Sequence, residues 1–249
     1  MFTKNSKQAE NGPIERKRRG RPPGGTPAGE TTRQKLYATA IRLIAERGYE
    51  QTTLREVAEA SGVSVGLLYR YFPNKRAVML TLYDELSLDQ LARASVMPSG
   101  PWRDRFLFTL QTSLSVLQPH RRTLSALIPV MISAEPDGLF GSATAFSRHR
   151  VQGLFQDAVV GAKDAPRGEL AAALGRLLYL VHLAVILWWL LDRSPNQRAT
   201  SALIALTKQI LPMASLALKV KRVGAIVLSG DRLFAEGLLA EGTPGDASH

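Results

Sequence analysis

For most of the chain, apolar residues fall in helical rather than strand register. Leu36, Ala40, Leu43 and Ile44 stand at i, i+4, i+7 and i+8, the stripe of a first helix. Thr31 with Gln34 three residues on reads as a capping box at its start, and Gly48 as its stop. Thr53 with Glu56 repeats the start signal, and Leu54, Val57 and Ala58 form the buried face behind it. Ser61-Gly62-Val63 interrupts that second helix, with Gly62 free to take a positive φ. Ser64 caps a third short helix, in which Leu67, Leu68 and Tyr71 cluster toward one side. Asn74 caps a fourth that runs toward Leu91 and packs Ala77, Val78, Leu82 and Leu86 on the first three. Two short helices across a tight glycine turn make a helix-turn-helix.

Met97-Pro98-Ser99-Gly100-Pro101 breaks the pattern. Helical stretches are predicted beyond it at 102–117, 121–133, 139–162, 168–192 and 196–218, and no strand-type alternation of comparable strength competes. The fold class is all-α: a three-helix head followed by a helical bundle. The expected divisions are a disordered basic arm over 1–30, a head over 31–78, a body over 79–218 and a tail over 219–249. In the tail, Ala225 to Leu228 reads as a short strand, Asp231 to Ala240 as a short helix, and 241–249 as a frayed end.

Composition removes several kinds of chemistry. The 249 residues are 45% hydrophobic, ample for a core, and include no cysteine. That excludes disulfides, thiolate-bound zinc and a cysteine nucleophile. None of the four histidines (His120, His149, His182, His249) shares a metal-ligand spacing with another. No paired carboxylates, phosphate loop or nucleophile constellation appears, so neither an enzyme nor a cofactor is expected. The N-terminus is polar, and the longest apolar run, Leu177 to Leu191, is 15 residues and contains His182. It reads as a buried core or interface helix. A soluble, cytoplasmic protein without membrane contact is the expectation.

Charge is the asymmetric quantity. Of the formal net charge of +11, residues 1–76 contribute +8, from 15 basic and 7 acidic side chains. A polyanion-facing end joined to a near-neutral body follows.

Within that basic end, one stretch has a recognisable order: Gly48-Tyr49-Glu50-Gln51-Thr52-Thr53-Leu54-Arg55-Glu56-Val57-Ala58, then Ser61-Gly62-Val63-Ser64, then Leu68-Tyr69-Arg70-Tyr71-Phe72-Pro73-Asn74-Lys75. Residues 31–80 thereby resemble the DNA-binding head of TetR-type transcriptional regulators. The resemblance covers about a fifth of the chain; the body fits the family in length and helical class only. It implies a homodimer on double-stranded DNA, with the helical bundle binding a small-molecule effector and forming the dimer. A repressor released from a pseudo-palindromic operator by its effector is the default it implies. The competing reading is an architectural DNA binder driven by the arm, without sequence preference.

Helix-turn-helix geometry places the N-terminal residues of the second helix of the motif on base edges. Those are Ser64, Val65 and Gly66, with Tyr69 one turn on, and Arg55 has the length to reach guanine or a phosphate. The resemblance implies that Thr53, Tyr69, Tyr71 and Lys75 hold the DNA backbone. For both tyrosines, packing within a small helical head is the alternative. Leu67 departs from the family, which usually has a small or hydroxylated residue there: either a phosphate bond is missing or Leu67 packs inward. Leu54, Val57, Val63, Leu68 and Phe72 read as core.

In the arm, Arg16-Lys17-Arg18-Arg19-Gly20-Arg21-Pro22-Pro23 resembles an AT-hook. Gly20 would lie deep in a narrow minor groove with Arg19 and Arg21 extended along it and Pro22 following. The plain alternative is a solvated basic tail. In the body, Phe140, Phe146, Phe155, Tyr179 and His182 are candidates for an effector pocket suited to an apolar or aromatic molecule, and each reads equally as core. Arg148-His149-Arg150 reads first as a solvated face, with an acidic ligand head as the alternative. Ala199, Ala202, Leu203, Leu206, Ile210 and Met213 form a stripe suited to a subunit interface or to intramolecular core.

Overall fold

The computed structural model describes residues 27–133 and 136–239. Among them are ten α-helices and no strand. The head comprises α1 (Pro27–Arg47), α2 (Leu54–Ala60) and α3 (Val65–Tyr71). They close on Leu36, Ala40, Leu43, Leu54, Val57, Leu68 and Phe72, joined by Val78 from α4 (Lys75–Ala94). The helix starts follow from local chemistry. Thr53 and Glu56 form a reciprocal capping box, and the hydroxyl of Ser64 and the side-chain carbonyl of Asn74 accept from the N–H groups of Leu67 and Ala77. Gly62 turns the chain between α2 and α3 at φ +64°, a conformation that costs an L side chain about 1–2 kcal/mol.

Thr31 is not a cap. α1 begins four residues earlier at Pro27, and the hydroxyls of Thr31 and Thr32 donate back to the carbonyls of Pro27 and Ala28. Residues 27–30 of the expected disordered arm are thus helical, and Thr31 lies inside the helix rather than at its cap.

The body contains α5 (Trp102–Leu117), α6 (Arg121–Met131), α7 (Ala145–Val160), α8 (Glu169–Leu191), α9 (Arg198–Ala217) and α10 (Lys221–Phe234). It has two cores. Phe106 and Leu110 of α5, Phe155 and Val159 of α7 and Tyr179 of α8 build one. Met79, Leu82 and Leu86 of α4, Leu124 and Leu127 of α6 and Trp189 of α8 build the other. Each such side chain, fully buried, contributes about 1.5–3 kcal/mol relative to exposure. The second core also receives Tyr37 and Ile41 from α1, so α6 ties the body to the head.

Two arginines satisfy carbonyls that helix ends leave open. Arg105 donates to Ala158 and Asp157 at the end of α7 (3.0 and 2.8 Å), and Arg121 to Trp189 and Asp192 at the end of α8 (2.9 and 2.7 Å). Asp192 then accepts from the Thr200 N–H and hydroxyl and from the Ser194 N–H, which orients α9. α8 is 23 residues long, and by length and hydropathy alone it would suffice to cross a bilayer, although half of its most apolar window is buried against its neighbours.

The tail differs from expectation. Residues 225–228 lie inside α10, which packs on α8 through an Arg176–Asp231 ion pair (2.7 Å). Pairing with α8 outweighs the strand preference of Ile226 and Val227.

Candidate nucleic-acid interface and ligand cavity

α3 is held by one face and open on the other. Leu68 is fully buried in the head, and Tyr71 packs half-buried against the same cluster. Ser64, Val65, Gly66, Tyr69 and Arg70 are exposed, Tyr69 at 50%. Arg55 is exposed on α2. A short helix thus presents small residues at its start, a phenol one turn on and cations on either side. Leu67 is half-buried and takes no part in the core cluster.

Two of the side chains expected on phosphates, Thr53 and Lys75, have protein partners. The Thr53 hydroxyl donates to Glu56 Oε2 (2.8 Å) and accepts from the Glu56 N–H (3.2 Å). The Thr53 backbone N–H (2.8 Å) and then its hydroxyl, both donating to the Glu56 carboxylate, hold that carboxyl below the usual carboxylate range. Lys75 Nζ donates to the carbonyls of Tyr49 (2.8 Å) and Glu50 (3.4 Å) and lies 4.5 Å from the centre of the Tyr49 ring. It fastens the α1–α2 loop to the start of α4. The charge that made Lys75 a phosphate candidate in the sequence also makes it the right size and sign for this clamp. Arg19, Gly20, Arg21 and Pro22 lie outside the described residues.

In the body, α4, α5, α6, α7 and α8 surround a cavity of about 110 Å³. Helical periodicity builds each wall. Tyr83, Ser87 and Gln90 come from α4 at i, i+4 and i+7, Ser113 and Leu117 from α5, Leu124 and Met131 from α6, Arg148 and Val151 from α7, and Tyr179, His182, Leu183 and Ile186 from α8. Tyr179 and His182 therefore reach the cavity. The three phenylalanines do not. Phe155 is fully buried behind His182, ring centres 4.6 Å apart; Phe140 lines an adjoining apolar groove with Ile132 and Phe234, which shares Met131, Leu139, Leu183, Ile186 and Leu190 with the cavity; Phe146 is 39% exposed on the surface.

His182 Nε2 lies 2.7 Å from the Ser113 hydroxyl, and burial pushes the imidazole pKa down to about 3, so the ring is neutral. Burial likewise raises the Tyr83 and Tyr179 phenols.

Arg148 is the largest departure from expectation: instead of facing solvent it is 7% exposed, donating to the Gly141 carbonyl at 3.0 Å. Tyr83, Gln90 and Ser113 went unread in the sequence. The available signal was polar residues at helical spacing beside the apolar stripe of α4, which only a facing neighbour distinguishes from an exposed edge.

The head matches the family described as bacterial regulatory proteins, tetR family, over residues 36–82. Residues 36–82 are thus a TetR-type DNA-binding head. The HTH-type transcriptional regulator TtgR of Pseudomonas putida is 40% identical over 68 residues, 26% of this chain and 32% of that protein. The regulator AcrR of Shigella flexneri is 28% identical over 106 residues, 40% of this chain and 48% of its own. The chain thus spans a third to a half of the length of these curated relatives. A tetR-family regulator from Streptomyces coelicolor shares the fold more broadly, with a TM-score of 0.56 over 83% of this chain and 97% of that one at 23% identity.

Proposed function

We propose that this protein is a homodimeric, effector-responsive transcriptional repressor of the TetR family that reads a pseudo-palindromic operator with α3 of each head. The exposed face of α3 carries this reading. Leu68 anchors the helix, while Ser64, Val65, Gly66 and Tyr69 are free to meet base edges and Arg55 to reach guanine or phosphate. In this reading residues 31–78 bind DNA and 79–218 bind effector and dimerise. Tyr71 and a rotated Lys75 meet phosphates, Thr53 contributes where Glu56 yields, and Arg19 to Pro22 enter the minor groove. Regulation of this kind acts on cytoplasmic DNA.

Two helices connect the sites. α4 runs from the head into the cavity wall, and α6 lines the cavity while packing on α1. An effector that favours one spacing of these helices shifts the population of head arrangements. Two heads read half-sites only when about 34–36 Å apart, so a small rotation suffices to release DNA.

Selection of bound fragments from a random duplex pool at physiological salt tests the reading. Recovery of a pseudo-palindrome with half-sites one helical turn apart is expected. Enrichment of asymmetric A·T tracts alone would replace it with an architectural role.

A further inference from the structure

We propose that the cavity takes an organic monoanion, a carboxylate on an apolar body, and that Arg148 reads its charge. The inference rests on the cavity being the effector site and names the chemistry of its occupant. Three buried hydrogen-bond donors on its walls have no partner: Arg148 Nε, Gln90 Nε2 and the Tyr83 hydroxyl. The Nδ1 of His182 is also unpartnered. Arg148, Gln90 and His182 are each more than nine-tenths buried. Such groups are ordinarily satisfied, and three donors around one space are the arrangement of a site waiting for acceptors.

Charge narrows the class. No Asp or Glu is among the residues lining the cavity, and Arg148 pairs with no carboxylate among the described residues. Its near neighbour Arg150 shows the contrast, being tied to Asp84 at 2.8 Å. A buried guanidinium bonded only to carbonyls keeps its full positive charge, so the occupant must supply one negative charge. His182 is neutral and adds none. A dianionic phosphate would leave one charge unmatched, whereas a carboxylate matches one cation and offers acceptors to the remaining donors. The rest of the wall, including Leu117, Leu124, Leu183 and Ile186, suits a hydrocarbon.

Calorimetric titration of the full chain without DNA, using octanoate, octanamide and octylamine, tests this. Octanoate should bind at least about tenfold more tightly than octanamide, with octylamine weakest. Arg148→Met should remove that preference, bringing octanoate to the affinity of octanamide. Gln90→Leu, which leaves the Arg148 contact with the 139–141 loop intact, should weaken octanoate selectively if Arg148→Met does not fold. Octanamide binding as tightly as octanoate, or octanoate binding unchanged in both variants, would overturn the anion assignment and leave the effector cavity standing. Failure of all three probes to bind would remove the cavity reading and the proposal with it.

Discussion

His182 shows how a single side chain couples this fold to pH. It is enclosed by the Phe155 and Tyr179 rings and the Ser113 hydroxyl, with Arg148 on the same cavity wall. Burial lowers its pKa from 6.5 to about 3. The folded state therefore keeps the ring neutral while the unfolded chain takes up a proton below about pH 6.5. Stability falls as pH is lowered from that value toward 3, by about 2 kcal/mol at pH 5. Urea denaturation at pH 7 and pH 5 should show this loss, and His182→Gln should flatten it. An equal loss in both proteins would place the proton elsewhere. Lys75 makes a related point: its charge is visible in the sequence, but whether it meets a phosphate or the Tyr49 carbonyl depends on where the α1–α2 loop lies.

At the scale of elements, the crossing of α7 and α8 is set by one missing side chain. A Cβ on Gly175 would lie 2.6 Å from the Gln156 Cα, closer than atoms tolerate, and the obstacle is backbone. Gly175→Ala should force the helices apart and cost about 1–3 kcal/mol in a thermal melt. An unchanged melt would mean that the crossing yields freely. Element boundaries were legible where a cap is local. The Thr53–Glu56 box and the Ser64 and Asn74 caps act within three residues and form as their spacing implies. Thr31 with Gln34 has the same spacing, but both lie inside a helix that already includes Pro27. Ala225 to Leu228 became helical because α10 lies along α8, a partner about fifty residues away in sequence.

At the scale of the whole molecule, the surface of α8 and α9 remains unfinished in one copy. Trp188 and Leu191 on α8 and Leu206, Ile210, Met213 and Leu216 on α9 are exposed, Met213 at 73%. A monomer seldom leaves so many large apolar side chains together on adjoining helices. The stripe over Ala199 to Met213 thus favours an interface over intramolecular core. Sedimentation equilibrium should find a dimer. The double variant Leu206→Asp/Ile210→Asp should sediment as a monomer with unchanged helix content and lose affinity for a two-half-site duplex far more than for one half-site. A variant that stays dimeric would move the interface to another face.

The sequence by itself determined the helical class and the helix-turn-helix head with α2 and α3, because these depend on caps, a glycine turn and apolar spacing within a few residues. It also determined that the body holds long apolar helices. Only the tertiary structure decided which sides of those helices face a cavity. Arg148 lies two residues from Arg150 in sequence, yet one lies beside the cavity and the other pairs with Asp84, because helical residues two apart point about 200° apart, toward nearly opposite sides, and the surrounding helices close over one direction only. The phenylalanines, which read equally as pocket or core, part for the same reason: Phe155 is core, Phe140 lines the adjoining groove and Phe146 is exposed. Hydrophobicity says that a side chain is buried, but whether it is buried against protein or around a space depends on five helices whose mutual positions no local pattern encodes.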